Sequence, residues 1–227
     1  MKIRIVCLAN SFKTSGRCLA GIQLDSANKP LFDQSRPKWI RPTCNFGQTE
    51  VPTSSAEPFE LLDVIEFEAG IPRPEGHQSE NVHFDLKSLR KVGTFPHDDL
   101  GHICDNSNML FGNIDNAVSE EEGKVLKYSL MLIRVSQFGL KQVPSFNPLG
   151  NPKTRGVFRH SNTIYDLPVT DPNYQVKNNC NLKIDQGYLC LSLGMLFSNR
   201  YYKLIAGVLQ PKSNRTEQTV PDADIPF

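Results

Sequence analysis

The segment Arg155-Gly-Val-Phe-Arg-His-Ser-Asn-Thr-Ile-Tyr-Asp-Leu-Pro-Val169 contains two short apolar runs joined by Ser161-Asn162. Short runs rich in Val, Ile, Phe and Tyr, separated by a two-residue polar turn, are typical of a β-hairpin. The segment therefore predicts one strand at residues 155–160 and another at 163–169.

The same strand pattern recurs along the chain on both sides of this hairpin. Clusters of Pro, Gly, Asn and Ser separate further runs at residues 2–9, 17–25, 38–41, 59–68, 127–136, 138–143, 188–193 and 201–209. The 16 prolines and 15 glycines fit many turns and few long helices. Two short helices are predicted, at residues 96–104 and 118–124, and Ser119 is a candidate N-cap for the second.

This inventory predicts an all-β protein with a few short helices. Two sets of about five strands are present, and five short strands with one small helix are the inventory of an OB barrel. We therefore predict two OB-like five-stranded barrels in tandem, at residues 1–95 and 126–210. Residues 96–125 would form a helical connector, and residues 211–227 a disordered tail with an acidic tip. A single large β-sandwich is the alternative.

The composition places the chain among ordinary globular proteins. Hydrophobic residues make up 39% of the 227 residues and charged residues 22%, which excludes a mostly disordered chain. No apolar run is long enough to span a membrane, and the charged N-terminus does not fit a signal peptide. The six cysteines are scattered. We interpret them as reduced and mostly buried, in a cytoplasmic protein.

The net charge of +1 conceals an asymmetry between the two halves. Residues 1–125 hold 13 basic and 18 acidic side chains, whereas residues 126–210 hold 10 basic and 3 acidic ones. Such an asymmetry favours an anionic partner for the second barrel. Chance variation of surface charge along a chain is the other explanation.

The motifs of several common enzyme and metal sites are absent from the sequence. We find no glycine-rich phosphate-binding loop, no nucleophile elbow and no Cys-x-x-Cys pair. His97 and His102 are five positions apart, so a helix would point them in different directions. We therefore predict no metal site, no cofactor and no assigned catalytic residue.

The loop at residues 72–81 is the best candidate for either catalysis or recognition. His77 and Glu80 could act as a base and its orienting group, which keeps a hydrolase or nuclease as an alternative. The same loop suits nucleic-acid binding. Arg73 could contact a phosphate or base edge, and Gln78 and Asn81 could make bidentate contacts to a base.

Two strands of the basic half could form a groove for nucleic acid. Residues of one parity share a face of a strand, so Arg155 lies beside Arg159, and Tyr201 beside Lys203. Arginines along a strand can follow a phosphate backbone, and an aromatic ring can stack on a base. The pattern favours a groove for single-stranded nucleic acid, with a core position for the aromatic residues as the alternative.

A series of short motifs spans most of the chain. They are Val6-Cys-Leu-Ala-Asn-Ser11, Gly16-Arg-Cys-Leu-Ala-Gly21, Trp39-Ile-Arg-Pro42, Leu62-Asp-Val-Ile-Glu66, Gln78-Ser-Glu-Asn81, Val169-Thr-Asp-Pro172, Tyr188-Leu-Cys-Leu-Ser-Leu193 and Tyr202-Lys-Leu204. Over about residues 3–209 the chain resembles the dual-OB family, poorly characterised prokaryotic proteins of which several lie in defence gene neighbourhoods.

The resemblance implies two OB folds and recognition of nucleic acid or nucleotide, with no established reaction. It also implies a shared site, whose candidate residues are Asn10, Ser11, Lys13, Arg17, Trp39, Arg41, Gln78, Glu80, Asn81, Asp171 and Lys203. Structural roles are the alternatives for two of them: Trp39 could be a core residue, and Asp171 could shape the turn before Pro172.

The last seven residues, Pro221-Asp-Ala-Asp-Ile-Pro-Phe227, form an acidic tip that ends in apolar residues. This tip resembles that of bacterial single-stranded DNA-binding protein, although Ala223 stands where an aspartate is usual. The resemblance implies docking to proteins that recognise that tip. Pro226 and Phe227 would fill an apolar pocket beside Ile225, the terminal carboxylate would pair with a basic residue, and Asp222 and Asp224 would speed association. An ordinary frayed terminus is the alternative.

Together these patterns predict a non-catalytic protein that binds nucleic acid, in particular single strands, and that acts in defence or genome maintenance. A nucleotide-sensing module and the hydrolase of residues 72–81 are the alternatives.

Overall fold

The computed structural model describes residues 1–44, 50–145, 150–175 and 182–210. Most of these residues lie in strands. The strands are β1 (Lys2–Lys13), β2 (Gly16–Leu24), β3 (Phe32–Asp33), β4 (Arg36–Pro37), β5 (Trp39–Thr43), β6 (Asp63–Pro72), β7 (Asn81–Phe84), β8 (Arg90–Thr94), β9 (Ala117–Ser119), β10 (Leu130–Val143), β11 (Lys153–His160), β12 (Thr163–Pro168), β13 (Leu182–Phe197) and β14 (Arg200–Leu209). The helices are α1 (Thr53–Ala56), α2 (Glu120–Val125) and 3-10 turns at Leu86–Ser88, His97–Ile103 and Pro172–Tyr174. The predicted all-β class is confirmed.

The first sheet closes into a five-stranded barrel. Its strands follow the order β1-β2-β5-β7-β6, and β6 pairs again with β1 to complete the ring. Every pairing around the ring is antiparallel except that of β5 with β7, which is parallel. β8 adds to the outer side of β6. The predicted first OB-like barrel is confirmed.

The second sheet is a curled half-barrel. Its strands follow the order β12-β11-β10-β13-β14-β9, with every pairing antiparallel. The sheet curls until its two sides touch at Val169, which makes a parallel bridge with Ile205. The Thr170 N–H donates to the Ile205 carbonyl at 2.8 Å. The second OB-like unit is therefore an open variant of the first.

The apolar run at the start of β1 is buried on both of its faces. Ile3 and Ile5 pack inside the barrel, whereas Val6 and Leu8 belong to a separate core between the barrel and the second sheet. That second core also takes apolar side chains from β10, β13 and β14. Because both faces of the strand are covered, its sequence is continuously apolar and does not alternate between apolar and polar residues.

The backbones of the two units are in contact where β14 lies against β1. A Cβ atom on Gly207 would lie 2.2 Å from the Leu8 carbonyl oxygen, so only glycine permits this approach. The units therefore share a core and a backbone contact. The predicted division into separate domains stays a prediction, and β9, within the predicted connector, belongs to the second sheet.

Several predicted element boundaries differ from the structure. The runs at 127–136 and 138–143 belong to one strand, β10 (Leu130–Val143), in which Gln137 has a φ of 63°. The predicted helix at 96–104 is a 3-10 helix over His97–Ile103, and α2 begins at Glu120. Ser119 caps α2 as predicted, in a capping box with Glu122. The turn at Ser161-Asn162 is confirmed by the pairing of His160 with Thr163.

The cysteines are less buried than predicted. The five described cysteines are free; Cys7 and Cys190 are buried, but Cys18, Cys44 and Cys104 are partly exposed. Cys180 lies outside the described residues. Among the described residues, no helix has both the length and the apolar character needed to cross a membrane.

Candidate nucleic-acid interface

A cleft of about 1070 Å³ lies between the first barrel and the second sheet. One wall consists of the ends of β1 and β2, the strand β5 and the loop at residues 72–81. Thr170 and residues 192–195 of β13 form the other wall. In OB folds, the face of the second and third strands and the loops joining strands 1–2 and 4–5 bind oligonucleotides. In chain order the five strands of the first barrel are β1, β2, β5, β6 and β7, so the second and third are β2 and β5, and residues 72–81 connect the fourth and fifth. The cleft occupies this face of the first barrel.

The cleft combines basic side chains with exposed apolar ones. Lys13 and Arg73 line it together with Glu50, whose carboxylate lies 3.7 Å from the Lys13 ammonium. Phe12 also lines the cleft and is 47% exposed, and the Arg17 guanidinium lies 4.1 Å from the centre of its ring. Cationic groups beside an exposed ring are the combination that binds single-stranded nucleic acid.

A buried polar network lies at the floor of the cleft, with Arg41 at its centre. The guanidinium donates to Asn81 Oδ1 at 3.2 Å and to Ser129 Oγ at 2.8 Å. It also lies 3.4 Å from the carboxylate of Glu80, which accepts hydrogen bonds from the Ser129 backbone N–H and hydroxyl. All four residues are buried. Because Ser129 directly precedes β10, the network connects the first barrel to the second sheet.

The loop at residues 72–81 also contacts the second sheet directly. The His77 ring lies 4.3 Å from the ring of Tyr201, and Gln78 Nε2 lies 3.8 Å from the sulfur of Met195. Ser79 Oγ donates to the Lys127 carbonyl at 2.5 Å. The loop that an OB fold uses for binding is therefore held in place by the second unit.

Burial lowers the pKa of His77, and the nearby Arg41 charge lowers it further, while Glu80 acts in the opposite direction. Neither His77 nor Glu80 lines the cleft, and the Glu80 carboxylate is engaged by Arg41 and Ser129. This arrangement does not present the pair to a ligand in the cleft. Arg41 does line the cleft, and its Nε has no hydrogen-bond partner among the described residues.

Two further residues of the predicted shared site, Asn10 and Asp171, are buried and bond to the backbone of neighbouring segments. Asn10 Nδ2 donates to the carbonyls of Ala56 and Phe59, both at 2.8 Å. Asp171 accepts from the backbone N–H groups of Asn173 and Val208 at 3.0 and 2.9 Å. Burial raises the pKa of Asp171. The Asn10 bonds join β1 to the end of α1 and the segment after it, and the Asp171 bonds join the start of the Pro172–Tyr174 turn to β14. A role of either residue in ligand binding stays a prediction.

The remaining residues of the predicted shared site divide between the cleft and the core. Ser11 lines the cleft. Arg17 is buried, and its Nη1 lies 3.5 Å from the Asn10 carbonyl. Trp39 is buried in the core between the two units, as the structural alternative proposed.

The basic residues predicted on β11 lie apart from the cleft. Arg155 Nε donates to Asp166 Oδ1 at 2.6 Å, and Lys141 Nζ lies 2.9 Å from the same carboxylate. Arg159 is exposed, but Val157 between the two arginines is buried, so the face is not an open groove. On this strand the Arg155 charge is therefore paired locally with Asp166, which Lys141 of β10 shares.

Tyr201 and Lys203 share a face of β14, as the alternation predicts, but that face points inward. Lys203 is fully buried, and its ammonium donates to the carbonyl and side-chain oxygens of Asn113 at 3.0 and 2.7 Å. Burial lowers the pKa of Lys203 to about 8. Tyr201 packs against His77. We therefore leave Tyr201 and Lys203 out of the proposed contact surface.

Sequence reasoning missed the apolar residues that line the mouth of the cleft. Ile71 is 64% exposed and Met195 53% exposed, although both lie in apolar strand sequence. Nothing in a strand pattern distinguishes such residues from core. Among the described residues, no group of three His, Cys, Asp or Glu side chains could hold a metal ion. The predicted partner-binding residues, Asp222, Asp224, Ile225, Pro226 and Phe227, lie outside the described residues.

Comparison with known proteins supports the architecture. A family model described as "Dual OB-containing domain" matches residues 3–208. A search of curated proteins finds no match. Among solved structures, a murine DNA-binding protein bound to double-stranded DNA is similar at 6% identity and a TM-score of 0.35, over 93% of this chain and 98% of that chain. A likeness of that degree carries no argument about function.

Proposed function

Because this chain belongs to the dual OB-containing domain family, we propose that it binds single-stranded nucleic acid in the cleft over its first barrel. One observation carries the proposal: the cleft coincides with the strands and loops that OB folds use to bind oligonucleotides.

The chemistry of the cleft supports this ligand class. Lys13 and Arg73 can contact phosphates, with the ligand replacing Glu50 beside Lys13. The exposed ring of Phe12 offers a surface on which an unpaired base can stack. Gln78 and Asn81 line the floor but are buried, and their amides bond to each other and to Arg41, so we propose that they position the floor rather than contact base edges. Stacking of this kind requires bases that are not paired in a duplex.

We expect the double variant Lys13→Ala/Arg73→Ala to lower the affinity for an oligothymidine at least about tenfold, since each charge-assisted bond contributes roughly 1.5–3 kcal/mol. The variant should also flatten the plot of log affinity against log salt concentration, by about 0.7 for each phosphate contact removed. Fluorescence anisotropy at two or more salt concentrations measures both effects.

The matched control is Arg155→Ala/Arg159→Ala, which removes two charges from β11 outside the cleft. We expect it to retain the affinity and the salt dependence of the wild type. If the control loses affinity and the cleft variant does not, the groove lies on the second sheet and the cleft proposal is wrong.

The two alternatives predict different results in the same assay. A nucleotide sensor would saturate with mononucleotides and show little dependence on oligonucleotide length. A nuclease would degrade the probe and lose that activity in His77→Ala. Either result would replace the proposed function.

We also propose, from sequence alone, that the acidic tip recruits proteins that recognise the tip of bacterial single-stranded DNA-binding protein. The support is the resemblance of Asp224-Ile-Pro-Phe227 to that tip. Roles in defence or genome maintenance, and a cytoplasmic location, stay predictions.

Deletion of residues 222–227 should abolish capture of such partners and leave oligonucleotide affinity equal to or above that of the wild type, because the deleted segment is anionic. Pull-down with a purified tip-binding protein measures the first effect and anisotropy the second. Pull-down that survives the deletion would contradict a role for the tip.

A further inference from the structure

We propose that the binding track continues beyond the cleft, along the outer face of the β13–β14 hairpin, where Tyr202, Arg200 and Phe197 receive the nucleic-acid strand as it leaves the cleft. This inference rests on the proposed function. It adds a second contact surface, on the second unit, for the same single-stranded ligand.

Strand geometry connects this face to the cleft. Leu204 lines the cleft, and Tyr202 and Arg200 follow it at alternate positions of β14, so the three side chains share one face. At about 3.3 Å per residue, Tyr202 lies roughly 7 Å and Arg200 roughly 13 Å from Leu204 along the strand. A strand leaving the cleft along β14 therefore meets both side chains in order.

The neighbouring strand contributes to the same face. Phe197 lies directly opposite Arg200 in the β13–β14 register. Its ring centre is 6.3 Å from that of Tyr202. The intervening residues, Ser198 and Asn199, both have positive φ, at 50° and 60°, as in a tight hairpin turn. The turn fixes the two aromatic rings on one rigid element.

The exposure of these side chains is unusual for their type. Phe197 is 69% exposed and Tyr202 is 39% exposed, whereas Tyr201, on the opposite face, packs inward against His77. Adjacent exposed aromatic side chains indicate an interaction surface. Their continuity with the cleft favours the ligand already proposed for the cleft.

The charges around the rings are mixed, so the two rings carry the proposal and Arg200 adds one cationic contact. Arg200 is exposed and lies opposite Phe197 on the neighbouring strand. α2, which packs near the turn, has three glutamates and one lysine: Lys124 pairs with Glu120 and Glu121, and Glu122 closes the helix cap. Rings that stack on bases, with an arginine beside them for phosphate, are the arrangement of a single-strand platform.

The test compares short and long oligothymidines, of about 4 and about 16 nucleotides, which bracket the site sizes of OB folds. We expect Phe197→Ala/Tyr202→Ala to lower the affinity for the long probe at least about tenfold and to leave the short probe, which fits the cleft, unchanged. Arg200→Ala should reduce the salt dependence for the long probe alone.

Phe32→Ala is the matched control, because Phe32 is a phenylalanine whose exposure (48%) lies between those of Tyr202 and Phe197, and it does not line the cleft. It should bind both probes like the wild type. Near-ultraviolet and far-ultraviolet circular dichroism of each variant establishes that the fold is retained.

Three outcomes separate this inference from the proposed function. Long-probe affinity that persists in Phe197→Ala/Tyr202→Ala, but falls in Lys13→Ala/Arg73→Ala, overturns the track and leaves the cleft intact. No binding of either probe to the wild type overturns both. Self-association of the wild type in sedimentation that the aromatic variant abolishes, with oligonucleotide affinity unchanged, also overturns the track and makes the face a protein interface.

Discussion

Arg41→Ala is expected to lower the free energy of unfolding by about 3–5 kcal/mol, the range for breaking a buried ion pair by removing one partner. The Arg41 side chain is 2% exposed and that of Glu80 is 4% exposed. Truncation would leave the Glu80 carboxylate buried without its countercharge and would remove the donors to Asn81 and Ser129. Urea denaturation, followed by circular dichroism, measures the loss.

The matched control is Arg90→Ala, since Arg90 also pairs with a glutamate but its side chain is 62% exposed. Glu66 is buried but keeps Arg4 as a partner at 2.9 Å, so removing the exposed Arg90 leaves no unpaired buried charge and should cost about 1 kcal/mol or less. The double variant Arg41→Met/Glu80→Gln should lose less than the sum of its single changes, because neither charge is then left alone. Equal losses for Arg41→Ala and Arg90→Ala would show that the network does not hold the units together.

Gly207→Ala is expected to destabilise the protein by about 3 kcal/mol, at the upper end of the range for overpacking a core. The added methyl group would lie 2.2 Å from the Leu8 carbonyl oxygen. That oxygen belongs to Leu8, at the irregularity of β1 between Cys7 and Ala9, which both pair with β2. Because it is a backbone atom between two paired residues, it cannot move aside without shifting the strand. Because the contact joins the two units, the variant should also lower oligonucleotide affinity by distorting the cleft.

Gly139→Ala in β10 is the control for the glycine change itself. A Cβ atom at this position would meet nothing closer than the Val157 carbonyl oxygen at 3.9 Å, an ordinary contact. We expect its stability to lie within about 1 kcal/mol of the wild type, because the loss of glycine flexibility in the unfolded chain is its main effect. A Gly207→Ala variant as stable as Gly139→Ala would mean that β1 and β14 can separate without cost.

Much of the fold could be predicted from local sequence. The hairpin turn at Ser161-Asn162 and the Ser119 cap depend on neighbouring residues, and both are confirmed. In the two large sheets β7, β8 and β9 were not predicted, because four, five and three residues are too few to establish a period. Their pairing depends on partners distant in the chain: β7 lies beside β5, and β9 beside β14.

Only some of the residues predicted for the site lie together in the structure. The loop at residues 72–81 and the residues near Lys13 do converge on one cleft. The basic strand β11 does not join them, because Arg155 and Lys141 share the carboxylate of Asp166. Counting charges along a chain cannot show which of them are paired with one another.

The sequence by itself determined most of the longer strands, the turn that joins β11 to β12, the cap of α2 and which residues share a strand face. Only the tertiary structure decided which face meets solvent. On β14, alternation separates Tyr201 and Lys203 from Arg200 and Tyr202, but the period of two is the same whichever set is buried. The loop at residues 72–81 covers Tyr201, and Asn113 binds Lys203. Because these contacts come from residues roughly 90–125 positions away, no local pattern in β14 could record them.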